Sequence, residues 1–433
     1  VAESKSIEAP FDPRWLDGVA SSCGRLHLGT PQLLDLYFER RLELRVRALD
    51  GTVQLEESRA EGTAARWRFP SRSVLYARTG VSAAVLAELI GHGAPQAHLP
   101  EGRAMPPAEL DPPHGWREWA SELANRLRPA RPTIIYMARR AAVVRPGSWA
   151  AVGVPDLVRV HVAGASNGAL LAVWPHPELP RWLRELATPP PRRVWVPPSG
   201  HELPVVFAAG TAGALLHELL GHLVESDLAA SGASPLAGLA GSSLAPASLE
   251  VSDDPTRHEL PGAFSCDDEG VPAQPLPLLR GGVLVGWLCD RIGAERLGSV
   301  PGRGRRGSFS RPPTPRLSNL VVDPGATPPD ALERDLRHGL VVTRVAGASV
   351  DPISARAVIR VERGFEVVRG RRARPLAPCA LTGRVLELLT RFDPAIGSDA
   401  SPEWRLGWCV KGGAPMPTGS LAPTLLVHRL EVL

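Results

Sequence analysis

The sequence predicts an α+β protein: an N-terminal α/β-type domain with a mixed sheet, then a β-rich C-terminal domain carrying one polar helix. Three observations point there. Over residues 31–90 the periodicities run helix, several strands, helix, which is the pattern of an α+β unit. Past residue 200, strand and turn signals dominate around one or two helices. At 433 residues the chain exceeds one ordinary core, so two or three domains are expected. The boundaries are placed at 1–130 (α+β), 131–199 (strand-rich) and 200–433 (β-rich). No internal repeat at a solenoid or propeller period is visible.

Taken in order, residues 31–44 read as a helix. Residues 44–49 alternate and run into Asp50-Gly51, a tight hairpin turn, with further strand alternation at 52–57, 63–69 and 74–77. Residues 81–90 (VSAAVLAELI) form an amphipathic helix, and the Pro-rich stretch 98–114 a linker. A second helix covers 116–127, and 132–165 reads as a meander turning at Pro146-Gly147. A short helix at 179–186 and a rigid proline segment close the middle region. Residues 204–209 form a buried strand leading into the polar helix, and the small-residue stretch 231–248 is expected to be mobile. A hairpin at Gly281-Gly282 and strands near 340–345, 357–361, 365–368 and 424–428 complete the chain.

Composition narrows the function classes. Hydrophobic content of 44% and charge of 22% are those of an ordinary globular protein. The net charge of +4 is carried almost wholly by arginine, since Lys5 and Lys411 are the only lysines, and the acidic residues nearly balance it. Five cysteines, odd in number and without a C-x-x-C pair, argue against a disulfide framework. No signal core or ~18-residue apolar run is present. The expectation is a cytoplasmic protein whose partners include neither membrane nor nucleic acid.

The polar helix is TAGALLHELLGHLVESD, residues 211–227. On a wheel of ~100° per residue, Leu215, Leu216, Leu219, Leu220, Leu223 and Val224 make an apolar face, while His217, Glu218, Gly221, His222 and Glu225 gather on the other. Two imidazoles and two carboxylates are metal-ligand chemistry. His217 and His222 are five residues apart, however, and diverge by ~140° on an ideal helix. One ion can take both if the helix widens into an i→i+5 turn, and Gly221 offers no Cβ to resist it. A distorted or ending helix at Gly221 is therefore expected. Glu218 is placed to act as general base, and Glu225 to orient an imidazole or simply to lie on the surface. His201 and His258 each precede a Glu-Leu-Pro run, lack a partner histidine and are read as non-ligands.

A third ligand must come from elsewhere. Cys409, in the glycine-flanked Gly407-Trp-Cys-Val-Lys-Gly-Gly turn, is one of five thiols that could supply it, and the residues alone leave the choice open. Two further motifs carry charge. Cys266-Asp-Asp-Glu-Gly270 reads as a strand end or a cation site, and Gly302-Arg-Gly-Arg-Arg306 as a solvated loop, a carboxylate clamp or a phosphate-binding loop.

Together these segments resemble the TldD/TldE (PmbA) metalloprotease family. HELLGHLVESD is similar to that family's HExxxH segment. PGAFSCDDEGVP (261–272), GGVLVGWLCDRIGAERLG (281–298), GRGRRGSF (302–309), PRLSN (315–319), HGLVVTRVAGASVDPISA (338–355) and WCVKGG (408–413) follow in family order, after a family-like opening at 35–40. The resemblance implies a metal-dependent peptidase that trims leader peptides or degrades small unfolded ones. By it His217, His222 and Cys409 are zinc ligands and Glu218 the catalytic glutamate. It also implies the metal-bearing partner in a hetero-dimer with a TldE/PmbA-like sister subunit, a homodimer being the alternative. Departures occur at Gly302–Phe309, which lacks the family's acidic residue, and after Cys409. They bear on substrate preference and fit a specialised member. Two rivals remain open: a non-catalytic, metal-stabilised scaffold, and a nucleic-acid binder using Arg303, Arg305 and Arg306.

Overall fold

The computed structural model describes residues 11–24, 32–49, 52–69, 73–91, 110–127, 131–163, 168–188, 191, 193–405 and 407–433. Asp50, Gly51, residues 98–109 of the expected linker and residues 164–165 lie outside the described residues. Helices and strands segregate as the α+β class requires, in two compact units.

The first unit gathers Val1–His161 with two later segments, Phe264–Ala273 and Gly302–Thr314. Four neighbouring strands of its sheet are Ser73–Thr79, Thr52–Arg68, Gln32–Leu49 and Arg131–Arg145 in that order, and Ser148–Val152 also pairs with Arg131–Arg145. These ladders are all antiparallel. Leu49 faces Thr52 in the register, so the two strands pair up to the described ends. Helices Pro13–Gly24 and Ala83–Gly91 bury Leu16, Val19, Leu86 and Leu89 against Leu33, Leu36, Trp67 and Val144 of the sheet.

Residues 32–44 are strand, not the helix expected from sequence. Leu33, Leu36 and Tyr37 sit at helical spacing, but Asp35–Glu39 are buried on both faces between long neighbours. A strand buried on both sides loses its period of two, so its apolar run is indistinguishable from a helical stripe.

Charge fills the middle of this unit. Asp35 accepts from Arg66 Nε at 2.9 Å and from Arg306 Nη2 at 2.8 Å, and Arg66 Nη2 donates to Glu269 Oε1 at 2.6 Å. Arg139 bridges Glu39 (2.9 Å) and Asp268 (2.6 Å). Burial pushes the Glu39 carboxyl up, but Arg139 and Arg41 outweigh it and hold it at about 2. The acidic 266–270 loop and the basic 302–306 loop are thus halves of one structure: Gly304 N donates to Asp267 Oδ2 (2.9 Å) and Arg306 N to Asp268 Oδ2 (2.6 Å). Arg303, Arg305 and Arg306 are 4%, 4% and 0% exposed, which removes the basic surface that the nucleic-acid rival needs.

The second unit comprises Val162–Ala263, Gln274–Pro301 and Pro315–Leu433. One of its sheets runs His338–Asp351, Glu202–Phe207, Leu425–Val432, Cys379–Arg384, Arg356–Val368, Arg371–Pro375. Because His338–Asp351 also pairs with Arg356–Val368, the first five strands close into a ring. A second sheet contains Val251–Asp253, Asn319–Val322 and Gly419–Ala422, the last two in parallel. Helix Thr211–Leu216 packs on His338–Asp351 from one sheet and on Gly419–Ala422 and Asn319–Val322 from the other. The approach is close: a Cβ on Gly213 would come within 2.2 Å of Ser420 Oγ. Residues 231–248 are a compact series of turns that buries Leu236 and Leu244 in the core, where a mobile loop was expected. No helix among the described residues is long and apolar enough to cross a membrane.

Candidate metal centre

The strand Glu202–Phe207 delivers the chain to helix Thr211–Leu216, whose entry is fixed by Thr211 Oγ1 donating to Ala208 O at 2.7 Å. The helix then widens. His217–Gly221 is a π-helical turn in which His222 N–H bonds back to His217 O, followed by a tight 3-10 turn, His222–Val224. This is the distortion expected at Gly221. An i→i+5 turn brings His222 back over His217, and their ring centroids stand 4.9 Å apart at 83°. Gly221 has an ordinary helical φ of −49°. Its contribution is space: a Cβ there would lie 3.2 Å from Leu317 Cδ1. Leu219, Leu220, Leu223 and Val224, all 0% exposed, anchor the opposite face in the core.

Cys409 arrives from a hairpin, Trp408–Lys411 paired with Ala414–Pro417. Gly412 and Gly413 turn it with φ of 56° and 72°, the left-handed pair that a two-residue hairpin loop needs. Cys409 Sγ lies 3.3 Å from His222 Nε2. Donor atoms of His217, His222 and Cys409 all fall within 4.8 Å of one another. Zinc–nitrogen and zinc–sulfur bond lengths place tetrahedral donors about 3.3–3.6 Å apart, so the cluster is already near coordination distance. His201 and His258 are not in it.

The electrostatics suit a cation. Burial pushes the Cys409 thiol up, but His217 and His222 outweigh it and bring it down to about 5. Burial likewise pushes the His222 imidazole down, yet its bonds to Cys409 and Glu225 raise it to about 11. Without an ion the pair is thiolate and imidazolium; an ion would replace the imidazole proton.

Beyond the donors lies a support that sequence reasoning read only in part. Glu225, 0% exposed, faces His222 Nδ1 at 3.5 Å, which settles its two readings in favour of orienting the ring. Lys411 Nζ donates to Glu225 Oε2 at 2.6 Å and to Asp227 Oδ1 at 2.7 Å. Arg316, 1% exposed, donates to Cys409 O (2.7 Å) and Ala414 O (3.2 Å), with its Nε 3.9 Å from Glu225 Oε1. One guanidinium therefore ties the cysteine hairpin to the histidine turn. Arg316 and Lys411 went unread in the sequence; the available signal was that Lys411 is one of only two lysines, two residues after the cysteine.

The cluster opens into a cavity of about 480 Å³, lined also by Glu218, Glu403 and Gly347–Val350. Glu218, 8% exposed, thus shares the space with all three donors. Two imidazoles and a thiolate around one point, with an open side toward a carboxylate, fit a divalent ion that keeps one position free.

Residues 200–433 match the family described as PmbA/TldA metallopeptidase C-terminal domain. A Haemophilus influenzae protein named metalloprotease TldD homolog is 29% identical over 231 residues, 53% of this chain and 48% of that protein. A metalloprotease of Methanothermobacter thermautotrophicus is 33% identical over 236 residues, 54% of this chain and 51% of that one. The chain spans about half the length of the curated relatives it matches. Among solved structures, TldE from Thermococcus kodakarensis superposes with a TM-score of 0.69 at 15% identity, over 92% of this chain and 96% of that one, a likeness of fold.

Proposed function

This chain belongs to the PmbA/TldD metallopeptidase family, and on that footing we propose that it is a zinc-dependent peptidase. The reading is carried by one observation: His217, His222 and Cys409 converge within 4.8 Å in a cavity that Glu218 also lines. A thiolate with two imidazoles favours zinc over harder ions. A bound zinc ion supplies Lewis acidity, polarising the scissile carbonyl and making water acidic near pH 7. Glu218 takes the proton from the attacking water and returns it to the leaving amine. Glu225, held by Lys411 and Arg316, would fix the His222 ring through Nδ1, leaving Nε2 on the Cys409 side.

The substrate is an extended peptide, a precursor to be trimmed or a small unfolded chain. Among the described residues, strand His338–Asp351 pairs with Glu202–Phe207 only through Leu340–Val342, while Gly347–Val350 line the cleft with a ladder to Arg356–Val368 alone. Such an edge holds a peptide by its main chain, which makes recognition weakly dependent on sequence. The chain acts as the metal-bearing subunit beside a TldE/PmbA-like sister, or as a homodimer. The five cysteines form no disulfide among the described residues, which fits a reducing cytoplasmic setting.

The test is Glu218→Gln. Metal content persists and peptide hydrolysis falls by about 10²–10⁴-fold. Hydrolysis at the original rate would hand the site to the metal-stabilised scaffold.

A further inference from the structure

A second cavity, about 330 Å³, lies in the same unit, and Glu403 lines both it and the metal cleft. Its walls include Arg344, Arg363 and Arg405. Arg344 and Arg363 stand directly opposite each other across the antiparallel strands His338–Asp351 and Arg356–Val368. Like charges in that position repel. The register slips on both sides of Arg344, and such bulges turn a side chain out of its regular direction and gather beside functional sites. Arg344 and Arg405 have side chains only 8% and 7% exposed.

Three guanidiniums share one carboxylate. Glu362 Oε2 is 3.1 Å from Arg344 Nε and 3.1 Å from Arg405 Nη1, and Glu362 Oε1 is 4.0 Å from Arg363 Nε. None of the three Nε–H groups is in a hydrogen bond among the described residues; Arg344 Nε is near Glu362 but badly aimed at it. The other acids do not close the account. Glu185 is taken by Arg181 at 3.0 Å, and burial raises the Glu403 carboxyl to about 8, so it is largely neutral at pH 7. Buried donors without acceptors and cations in excess are what an anion would satisfy.

We propose that this cavity is a carboxylate subsite, taking the C-terminal carboxylate or an acidic side chain of a peptide held in the metal cleft. The proposal rests on the peptidase reading for its substrate. Gly347, where the strand begins to line the cleft, is three residues from Arg344, at most ~10 Å along the chain. A few residues of extended peptide cover that span, with guanidinium forks to receive the carboxylate.

The experiment is fluorescence anisotropy on Glu218→Gln protein with three fluorescein-labelled hexapeptides: a free acid, its C-terminal amide, and an amide carrying one glutamate. Amidation is expected to weaken binding tenfold or more. Recovery with the glutamate amide identifies a side chain as the source, and no recovery identifies the C-terminus. Arg344→Gln, or Arg363→Gln should the first variant misfold, removes the preference while leaving amide binding and metal content as they were. Succinate judges the cavity apart from peptides: it raises the unfolding temperature of the wild type but not of Arg344→Gln. Equal binding of all three peptides overturns the subsite and leaves the peptidase reading standing. Loss of all peptide binding with the succinate shift intact overturns the peptide occupant, and absence of the succinate shift as well overturns the subsite itself.

Discussion

Two of the buried charge clusters among the described residues are built on opposite terms. In the first unit Asp35, Arg66, Glu269 and Arg306 exchange bonds of 2.6–2.9 Å, and the adjoining Arg139 spans Glu39 and Asp268. Acid and base are matched there, and the backbone of the acidic and basic loops takes up further acceptors. In the second unit Glu225 is matched by Lys411, but the inner donors His217, His222 and Cys409 face one another across a cavity. A closed network spends its desolvation on holding segments together. An open one leaves donor atoms aimed at a common point, which is the condition for binding something else.

That contrast can be broken by exchanging the phenotypes. The largest effect is expected from Cys409→Ser. Removing a donor should cost metal affinity more than the ~10–100-fold typical of an outer partner, and hydrolysis should go with it. The metal-free protein should also melt lower, because serine does not supply the thiolate that pairs with the His222 imidazolium. Inductively coupled plasma analysis after dialysis, with a melt of the metal-free form, checks both. Arg66→Met should spare the metal. It takes one partner from each of Asp35 and Glu269, which are 2% and 0% exposed, and breaking a buried pair costs about 3–5 kcal/mol. Denaturant titration should show that loss while the folded fraction keeps its metal.

The same contrast explains what could be read from sequence. The His217–His222 spacing already required a widened helix, because geometry within a single turn is local. The pairing of Leu49 with Thr52 and the helix Trp116–Arg126 were legible for the same reason. Cys409 was not singled out by its own residues: it lies 187 positions from His222, and only the family resemblance nominated it. The 266–270 and 302–306 loops were read apart from each other, the first as a strand end or a cation site and the second as a solvated or anion-binding loop, because nothing in either string says that the other neutralises it. Residues 32–44 failed through burial on both faces, a property of neighbours rather than of the strand.

A smaller effect should follow from loosening the tie between hairpin and helix. Arg316→Lys keeps the charge but loses the fork that spans Cys409 O and Ala414 O. Metal affinity should fall about 10–100-fold, chiefly through faster release, with little change in the metal-free melt. Equal affinity would mean that the hairpin holds Cys409 in place unaided.

The smallest effect distinguishes the clusters by pH. Above about 5 the Cys409 thiol is already ionised, and up to about 11 His222 keeps a proton when no ion is bound. Binding an ion to both therefore expels one proton from His222 across that window. Affinity should rise about tenfold per pH unit between pH 6 and 8, which is ~1.4 kcal/mol per unit. The sign follows from the raised imidazole: low pH favours the occupied proton site, high pH the vacated one. Calorimetry at pH 7 in buffers of differing ionisation enthalpy should report one proton released per zinc. A slope near zero would mean that the imidazole is neutral before the ion arrives, and Glu225 would then be holding a tautomer rather than a charge.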